Sequence, residues 1–323
     1  MTIIKFNFRR TLSVPANNNS SQPLFTLFSF GDDVVSRYYH HGQIRTSEIY
    51  ASLLNSLRRH LKGVDLLLRD VDGPFVETYE RYLYCQGLCT NTVSFYLKRL
   101  RALYRRAVDE GLVADASPFR RVSTPSEKTV KRAVSLRTLN RLAQMDLSER
   151  PSCQFARDIF LFSFYTRGMS FVDIAYLDKR NLRNGILTYR RKKTNQTLSI
   201  RWEPCMQAIL NRYAAPDTSP YLFNIISDLD RPHRIQYQAM QSKVNRHLRH
   251  LGITMALPRP LTMYCARHSW ASIAYSEGIP TSIISEGMGH DSERTTQIYL
   301  ASLRGEVIDK ANRKLLRLLS TCK

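Results

Sequence analysis

The sequence predicts a mainly α-helical protein in two parts. A small all-helical domain is followed by a mostly helical α+β domain holding a small antiparallel sheet. Three observations lead there. Apolar residues recur at three- and four-residue spacing through much of the chain, the period of one helix face. Residues 186–202 instead contain two short β-prone runs around a polar turn, the pattern of a hairpin. Between the two blocks of helical pattern, residues 114–132 carry Pro118, Pro125 and many Ser, Thr, Lys and Arg residues, a linker composition.

The elements follow in order. Residues 1–30 read as irregular, with Asn17–Ser21 as a turn between two β-prone stretches. The helical domain spans 31–115. Its first clear pattern starts at Thr46, a residue type suited to an N-cap, and puts Ile49, Leu53, Leu54, Leu57 and Leu61 on one face. A second helix starts at Pro74, whose fixed φ suits a first turn, and runs to about Cys85. A third opens after Thr90-Asn91 and ends at Gly111, with Val93, Tyr96, Leu97, Leu100, Leu103, Tyr104 and Ala107 inward. Its outer face carries Lys98, Arg99, Arg101, Arg105 and Arg106, with no acid before Asp109. Such a row is either a solvated face or a surface for a polyanion.

The linker is drawn at 116–132, and the second domain spans 133–323. That domain opens with helices around 136–144 and 151–166. Two strands, 186–191 and 197–202, flank Lys192–Gln196, and a helix follows over 203–214. Another helix runs through Ala266 to Glu277 and is stopped by Gly278 and Pro280. Thr281 caps a short helix ending near Gly287, and Asp291 or Ser292 starts the helix that bears Tyr299. A tail over 303–319 is amphipathic, with Val307, Ala311, Leu315, Leu316 and Leu319 as its stripe.

Charge narrows the function. The 323 residues include 48 Lys and Arg against 27 Asp and Glu, a net charge of +21. That surplus favours binding a polyanion through phosphate neutralisation and counterion release. Met1–Arg10 lacks the apolar core of a secretory signal, and the longest apolar run, Ile159–Tyr165, is too short for a bilayer. The six cysteines are scattered, and Cys85 and Cys89 have no second pair to complete a zinc site. No metal and no cofactor are expected. The location expected is the cytoplasm, with no membrane attachment.

The last third gathers one kind of chemistry. Ala266-Arg267-His268-Ser269-Trp270 is followed by Gly289-His290 and, nine residues past that histidine, by Tyr299. Attack on a phosphodiester by a phenol needs cationic or donor groups on the phosphate and one hydroxyl as nucleophile. A phenol of pKa about 10 needs such neighbours to react. Each residue also has a plainer reading. Tyr299 lies between Ile298 and Leu300 and could be a core residue; Arg267 could form a structural ion pair, and His290 could cap a helix.

The order hairpin lysine, arginine, histidine, tyrosine, with Ser269-Trp270, Gly289-His290 and Thr296-Gln297-Ile298-Tyr299, resembles the tyrosine recombinase (phage integrase) family. The likeness runs from about residue 30 onward. It implies a SAM-like core-binding domain ahead of a catalytic domain, and a site-specific recombinase of the integrase or invertase kind from bacterial mobile elements. By the same resemblance Tyr299 is the nucleophile that forms a 3′-phosphotyrosyl link. Arg267 clamps the phosphate, and His290 hydrogen-bonds it or tunes the tyrosine. Lys193, or Lys192 in another hairpin register, protonates the leaving 5′-oxygen. The resemblance further implies double-stranded DNA with a specific site, a homotetramer on that DNA, an accessory DNA-bending or directionality factor, and association with the bacterial nucleoid. The unbalanced charge on the third helix makes Lys98, Arg99, Arg101, Arg105 and Arg106 candidate DNA contacts, and Lys192 is a further one.

Two departures stand out. Tyr264 occupies the position three before Arg267 where the family usually has histidine. Ser170 falls where a first catalytic arginine is expected, which makes Arg167 the proposed substitute and Asp173 the acid that orients these groups, or a cap. The competing reading is a catalytically silent DNA-binding protein of the same fold. An RNA-binding protein and a type I topoisomerase are further alternatives.

Overall fold

The computed structural model describes residues 25–127, 132–290 and 292–300; residues 294, 295, 298 and 299 are described in their backbone only. The chain forms two compact units, Met1–Thr129 and Val130–Lys323. The tail at 303–319 and residues 1–24 lie outside the described residues.

The first unit is a bundle of four helices: α1 (Leu27–His40), α2 (Ile44–His60), α3 (Gly73–Cys85) and α4 (Thr90–Asp109). Helix α1 corrects the expectation of irregular chain up to residue 30. Thr26 caps it by accepting from Ser29 N at 3.3 Å, and Leu27, Phe28, Phe30, Val34 and Val35 are buried. A Cβ on Gly31 would lie 2.4 Å from Leu54 Cδ2, so a larger residue there would require the Leu54 side chain to shift. Helix α2 starts at Ile44 behind Gln43, two residues before Thr46, which therefore sits inside its first turn. Asp72 caps α3 by accepting from Phe75 N at 2.8 Å, with Pro74 in the first turn. Along α4 the inward residues named from the pattern are buried, Tyr96 only partly.

Much of the stretch read as a linker is folded back on α4. The Tyr104 hydroxyl donates to Ala114 O at 3.2 Å and accepts from Ala116 N at 3.0 Å. Phe119 packs against Tyr104 in the core, and Ser94 Oγ donates to Pro125 O at 2.7 Å. Asn91 exchanges two hydrogen bonds with the backbone of Glu127. The composition was that of a linker because a chain pinned by backbone hydrogen bonds needs no apolar period.

The second unit is built around α6 (Pro151–Tyr165). Nine of its residues are buried, among them Ile159, Phe160, Leu161 and Phe162. Against it pack α5 (Leu136–Ala143), α8 (Pro204–Tyr213), α9 (His233–Thr254) and α10 (Met263–Ser276). Buried Asp158 accepts from Arg157 Nε at 2.7 Å, Arg212 Nη1 at 2.7 Å and the Tyr213 hydroxyl at 2.9 Å, tying α8 to α6. A short α7 (Phe171–Ala175) leads to an antiparallel sheet in the order β1 (Leu182–Arg183), β2 (Ile186–Arg190), β3 (Thr197–Arg201). In β2, Leu187 and Tyr189 face the core and pair with Ile200 and Leu198. The sequence missed α7, β1 and the 22-residue α9, whose apolar stripe is so thin that Val244, Leu248, Leu251 and Gly252 are its only buried residues.

Helix α10 begins three residues before Ala266, capped by Thr262. It is followed by α11 (Thr281–Met288), where Pro280 rather than Thr281 is the capping position, and α12 (Glu293–Leu300), which bears Tyr299. Leu300 packs with Ile284, Met288, Ala271 and Ala274, so α12 is seated on α10 and α11. The expected class, mainly helical with a SAM-like first domain and one small antiparallel sheet, is the class observed. No helix among the described residues is long and apolar enough to cross a membrane.

Candidate active site

The site starts where α6 ends. Arg167 and Gly168 both take left-handed backbone, φ +59° and +79°. A Cβ on Gly168 would lie 2.6 Å from the Arg267 Cα, so glycine is required for this turn to touch the backbone of α10. In return Arg267 Nη1 donates to Gly168 O at 3.1 Å, and Nη2 donates to Met288 O at 2.7 Å. Arg267 is 8% exposed, so its guanidinium is held by carbonyls from two elements.

A second set of bonds joins Arg267 to the tyrosine helix. Arg267 Nη2 lies 2.9 Å from His290 Nε2, and His290 Nδ1 lies 2.7 Å from Thr296 Oγ1. A guanidinium can only donate, so Nε2 accepts, and the ring proton sits on Nδ1 and is donated to Thr296. Burial, then the charges of Arg267, Arg191 and Lys193, push the His290 pKa down to about 4, consistent with a neutral ring. Thr296 is fully buried one turn before Tyr299 on α12. Gly289, at φ +61°, ends α11 and turns His290 inward; a Cβ there would lie 3.0 Å from Gln196 and 3.1 Å from Arg191.

The β2–β3 hairpin supplies the remaining cations. Arg191 N donates to Gln196 O at 2.8 Å and Asn195 N to Arg191 O at 2.9 Å, closing the loop. Buried Asp173 accepts from Lys192 N at 2.9 Å and from Ser170 Oγ at 2.6 Å. It therefore orients the hairpin and the start of α7, and Ser170 serves as the N-cap of that helix. The neighbouring lysines diverge. Lys192 Nζ lies 4.2 Å from the centre of the Tyr176 ring, a cation–π contact, whereas Lys193 lines the cavity.

That cavity, about 370 Å³, is lined by Gly168, Ser170, Arg191, Lys193, Tyr264, Arg267 and His290, and also by Gln241 and Ser292. Among the described residues that line it there is no carboxylate. Tyr264 is 47% exposed and packs edge-on against His268. The structure thus brings together Arg267, His290, Lys193 and Tyr264, next to the helix that carries Tyr299. Arg167 does not line the cavity; its Cδ lies beside Gly287 of α11.

Residues 26–123 match the phage integrase SAM-like domain, and residues 145–306 match the phage integrase family. The chain belongs to this family, the tyrosine recombinases. Tyrosine recombinase XerA of Pyrococcus furiosus is 24% identical over 276 residues, covering 82% of this chain and 91% of that protein. Tyrosine recombinase XerD of Pseudomonas putida is 26% identical over 219 residues, covering 66% and 72%. Among solved structures, a lambda integrase tetramer bound to a Holliday junction shares the fold with TM-score 0.65 at 16% identity, covering 86% of this chain and 78% of that one. The Tn1549 transposon integrase in complex with transposon right end DNA gives TM-score 0.62 at 14% identity, covering 89% and 100%.

In this recombinase the cations expected on the outer face of α4 divide into two groups. Lys98 and Arg105 are exposed. Arg99 lies over the Phe95 ring, Arg101 donates to Val122 O at 3.0 Å and lies over Phe119, and Arg106 pairs with Glu110 at 3.0 Å. The sequence reading missed Arg191, Gln241, Ser292 and Thr296 at the cavity and its supporting bonds. A signal for Arg191 existed: the two-residue period that turns Leu187 and Tyr189 inward also turns residue 191 inward.

Proposed function

We propose that the protein cuts and rejoins double-stranded DNA at a specific site through a 3′-phosphotyrosyl intermediate on Tyr299. The observation that carries this is the chain of bonds Arg267–His290–Thr296, which fastens the helix of Tyr299 to a cation-lined cavity. In this reading the phenol oxygen of Tyr299 attacks phosphorus while the bond to the 5′-oxygen breaks. The phenol proton passes to solvent, and the Lys193 ammonium gives one to the departing 5′-oxygen. Arg267 holds the charge that builds on the non-bridging oxygens, and Tyr264 offers one more donor at the cavity mouth. The covalent link conserves the bond energy, so resealing needs no nucleotide cofactor.

A phosphate in the cavity is a stronger acceptor for Arg267 Nη2 than a neutral imidazole. Its arrival would free His290 Nε2 to take up a proton or a hydrogen bond. Guanidinium and ammonium groups supply the charge stabilisation that a metal would otherwise give, so cleavage is expected to persist in EDTA. Integration or inversion of a mobile element, by a tetramer assembled on DNA, is the setting this reading favours.

The test is covalent trapping. Wild type and Tyr299→Phe are incubated with nicked duplexes tiled across the DNA flanking the gene and run on a denaturing gel. A protein–DNA adduct with wild type alone supports the reading and locates the cut. Tight binding with no adduct would support a catalytically silent DNA-binding protein instead.

A further inference from the structure

The β2–β3 loop carries two neighbouring lysines that part company, and the seat of one of them lies just after α7. The loop braces itself: Arg190 Nε donates to Asn195 O at 2.9 Å, and Thr194 Oγ1 donates to Gln196 Oε1 at 3.3 Å. At Lys192 it is also fastened to α7, at two points. The backbone N–H of Lys192 donates to buried Asp173, and its ammonium lies 4.2 Å from the centre of the Tyr176 ring. Asp173 and Tyr176 are about one turn apart, so a single turn of chain holds both points. Tyr176 closes α7, its N–H shared between Val172 O and Asp173 O at 3.2 Å.

The Tyr176 ring is itself held in place. It meets the Tyr221 ring edge-on with centroids 6.0 Å apart, and the Tyr237 ring of α9 at 5.7 Å. The His233 ring, at the start of α9, lies 6.3 Å away, and its Nδ1 is 3.1 Å from the Tyr221 hydroxyl. The face of such a ring attracts an ammonium through its quadrupole. Lys192 is exposed on a flexible four-carbon stem, next to the like charge of Lys193. Seated on Tyr176, it is drawn aside, and of the two lysines it is Lys193 that lines the cavity.

We propose that Lys192 is a positioning residue: held on Tyr176, it fixes the loop so that the Lys193 ammonium meets the leaving 5′-oxygen. This rests on the strand-cutting reading above and gives the adjacent lysines different work. Lys193 gives the proton as the bond from phosphorus to the 5′-oxygen breaks. Lys192 transfers no proton and makes no covalent bond. Its partner is a ring of its own unit rather than the DNA expected from the sequence.

The experiment measures adduct formation in single turnover at saturating protein, on two nicked duplexes. One has the normal 5′-oxygen at the scissile phosphate, and the other has sulfur bridging there. A thiol ionises at about 8.5, so a 5′-thiolate departs without a proton and needs no acid. Lys193→Ala sets the scale, with a loss on the order of 100-fold or more on oxygen and little on sulfur. Lys192→Met keeps the stem and removes the charge, while Tyr176→Leu removes the ring. Each should be slower by about 10-fold on oxygen, the scale of a small misplacement, and close to wild type on sulfur. Lys192→Arg, which restores a cation to the ring, should recover most of the rate. Lys192→Met should add nothing to Lys193→Ala, because both act through one proton. Lys192 is exposed, so Lys192→Met carries the test if Tyr176→Leu lowers the melting temperature. Equal losses on oxygen and sulfur would make Lys192 a DNA contact or a support of the fold and overturn the proposal. Wild-type rates for Lys192→Met on oxygen would overturn it too. If wild type binds both duplexes and forms no adduct on either, the strand-cutting reading itself fails and takes this one with it.

Discussion

The two units hold their arginines in opposite ways. On α4, Arg106 is paired with Glu110, and Arg37 grips the same carboxylate at 2.9 and 3.1 Å. These hydrogen bonds, Arg37 first, draw the Glu110 carboxyl below its ordinary range. Arg99, Arg101 and Arg106 also lie over aromatic rings of their own unit. In the cavity Arg191 and Arg267 are moored to carbonyls instead, and no carboxylate is among the described residues that line it. An arginine neutralised by its own chain is committed to the fold. One moored by neutral carbonyls keeps its charge for an incoming anion. The contrast predicts which cations catalyse and which merely hold the bundle.

Arg267 gives the largest effect. Arg267→Ala should lower adduct formation by about 10²–10³-fold or more, the cost of removing a preorganised donor, while electrophoretic mobility shift shows nearly unchanged DNA binding. Loss of both together, with a lowered melting temperature, would make Arg267 a folding residue and dissolve the contrast. Thr296 comes next. Thr296→Val keeps the volume but removes the acceptor of the His290 Nδ1 proton, so the ring can turn and the tyrosine helix loses its tether. A fall in the trapping rate of roughly 10-fold or more is expected, from misplacement alone. Thr296→Ser, which retains the hydroxyl, should recover most of it. Equal loss in both variants would show that the methyl group, not the hydrogen bond, is what matters.

The parts legible in the sequence were those with a strong local period. Helix α4 shows its core residues at helical spacing, and β2–β3 alternates cleanly. Helix α1 was missed because its start lies in a stretch that reads as β-prone, although Leu27, Phe28, Gly31, Val34 and Val35 fall at helical spacing and are buried. Helix α9 was hidden for a different reason, a long polar surface around very few buried residues. At the site, the order of Lys193, Arg267, His290 and Tyr299 was readable because their residue types are chemically uncommon in company. Arg191 was not, because Arg190-Arg191-Lys192-Lys193 look alike until the strand phase is known. Arg167 takes left-handed backbone and does not line the cavity, and residue type gives no warning of such a conformation outside glycine.

The cavity's crowding of cations also shows in its pH response. Burial, then nearby cations (Arg267 and Arg191 for His290, Arg132 and Arg267 for His268), bring both histidines down to about 4. Between that value and an unfolded pKa near 6.5 the unfolded chain binds more protons, so stability should rise with pH across this window. Each histidine should contribute on the order of 1 kcal/mol after allowance for solvent screening. Thermal melts from pH 4.5 to 7.5 check it, and His290→Gln should flatten the rise. A melting temperature independent of pH across the window would mean that the site tolerates a protonated ring, and therefore that its charges are already balanced.

The smallest effects test the other side of the contrast, on α4. Lys98 and Arg105 are exposed and without ion pairs among the described residues, whereas Arg106 is committed to Glu110. If the helix meets a DNA backbone, Lys98→Ala and Arg105→Ala should each weaken binding a few-fold and lower the slope of log K against log salt by about 1. Arg106→Ala should leave the slope alone and cost at most about 1 kcal/mol of stability, as exposed pairs do. Measuring the slope for all three by fluorescence anisotropy separates a phosphate contact from a fold contact, since only the former releases counterions. If Arg106→Ala lowered the slope as much as Arg105→Ala, pairing with Glu110 would not remove a cation from the DNA surface. The rule drawn from the cavity would then hold only where burial enforces it.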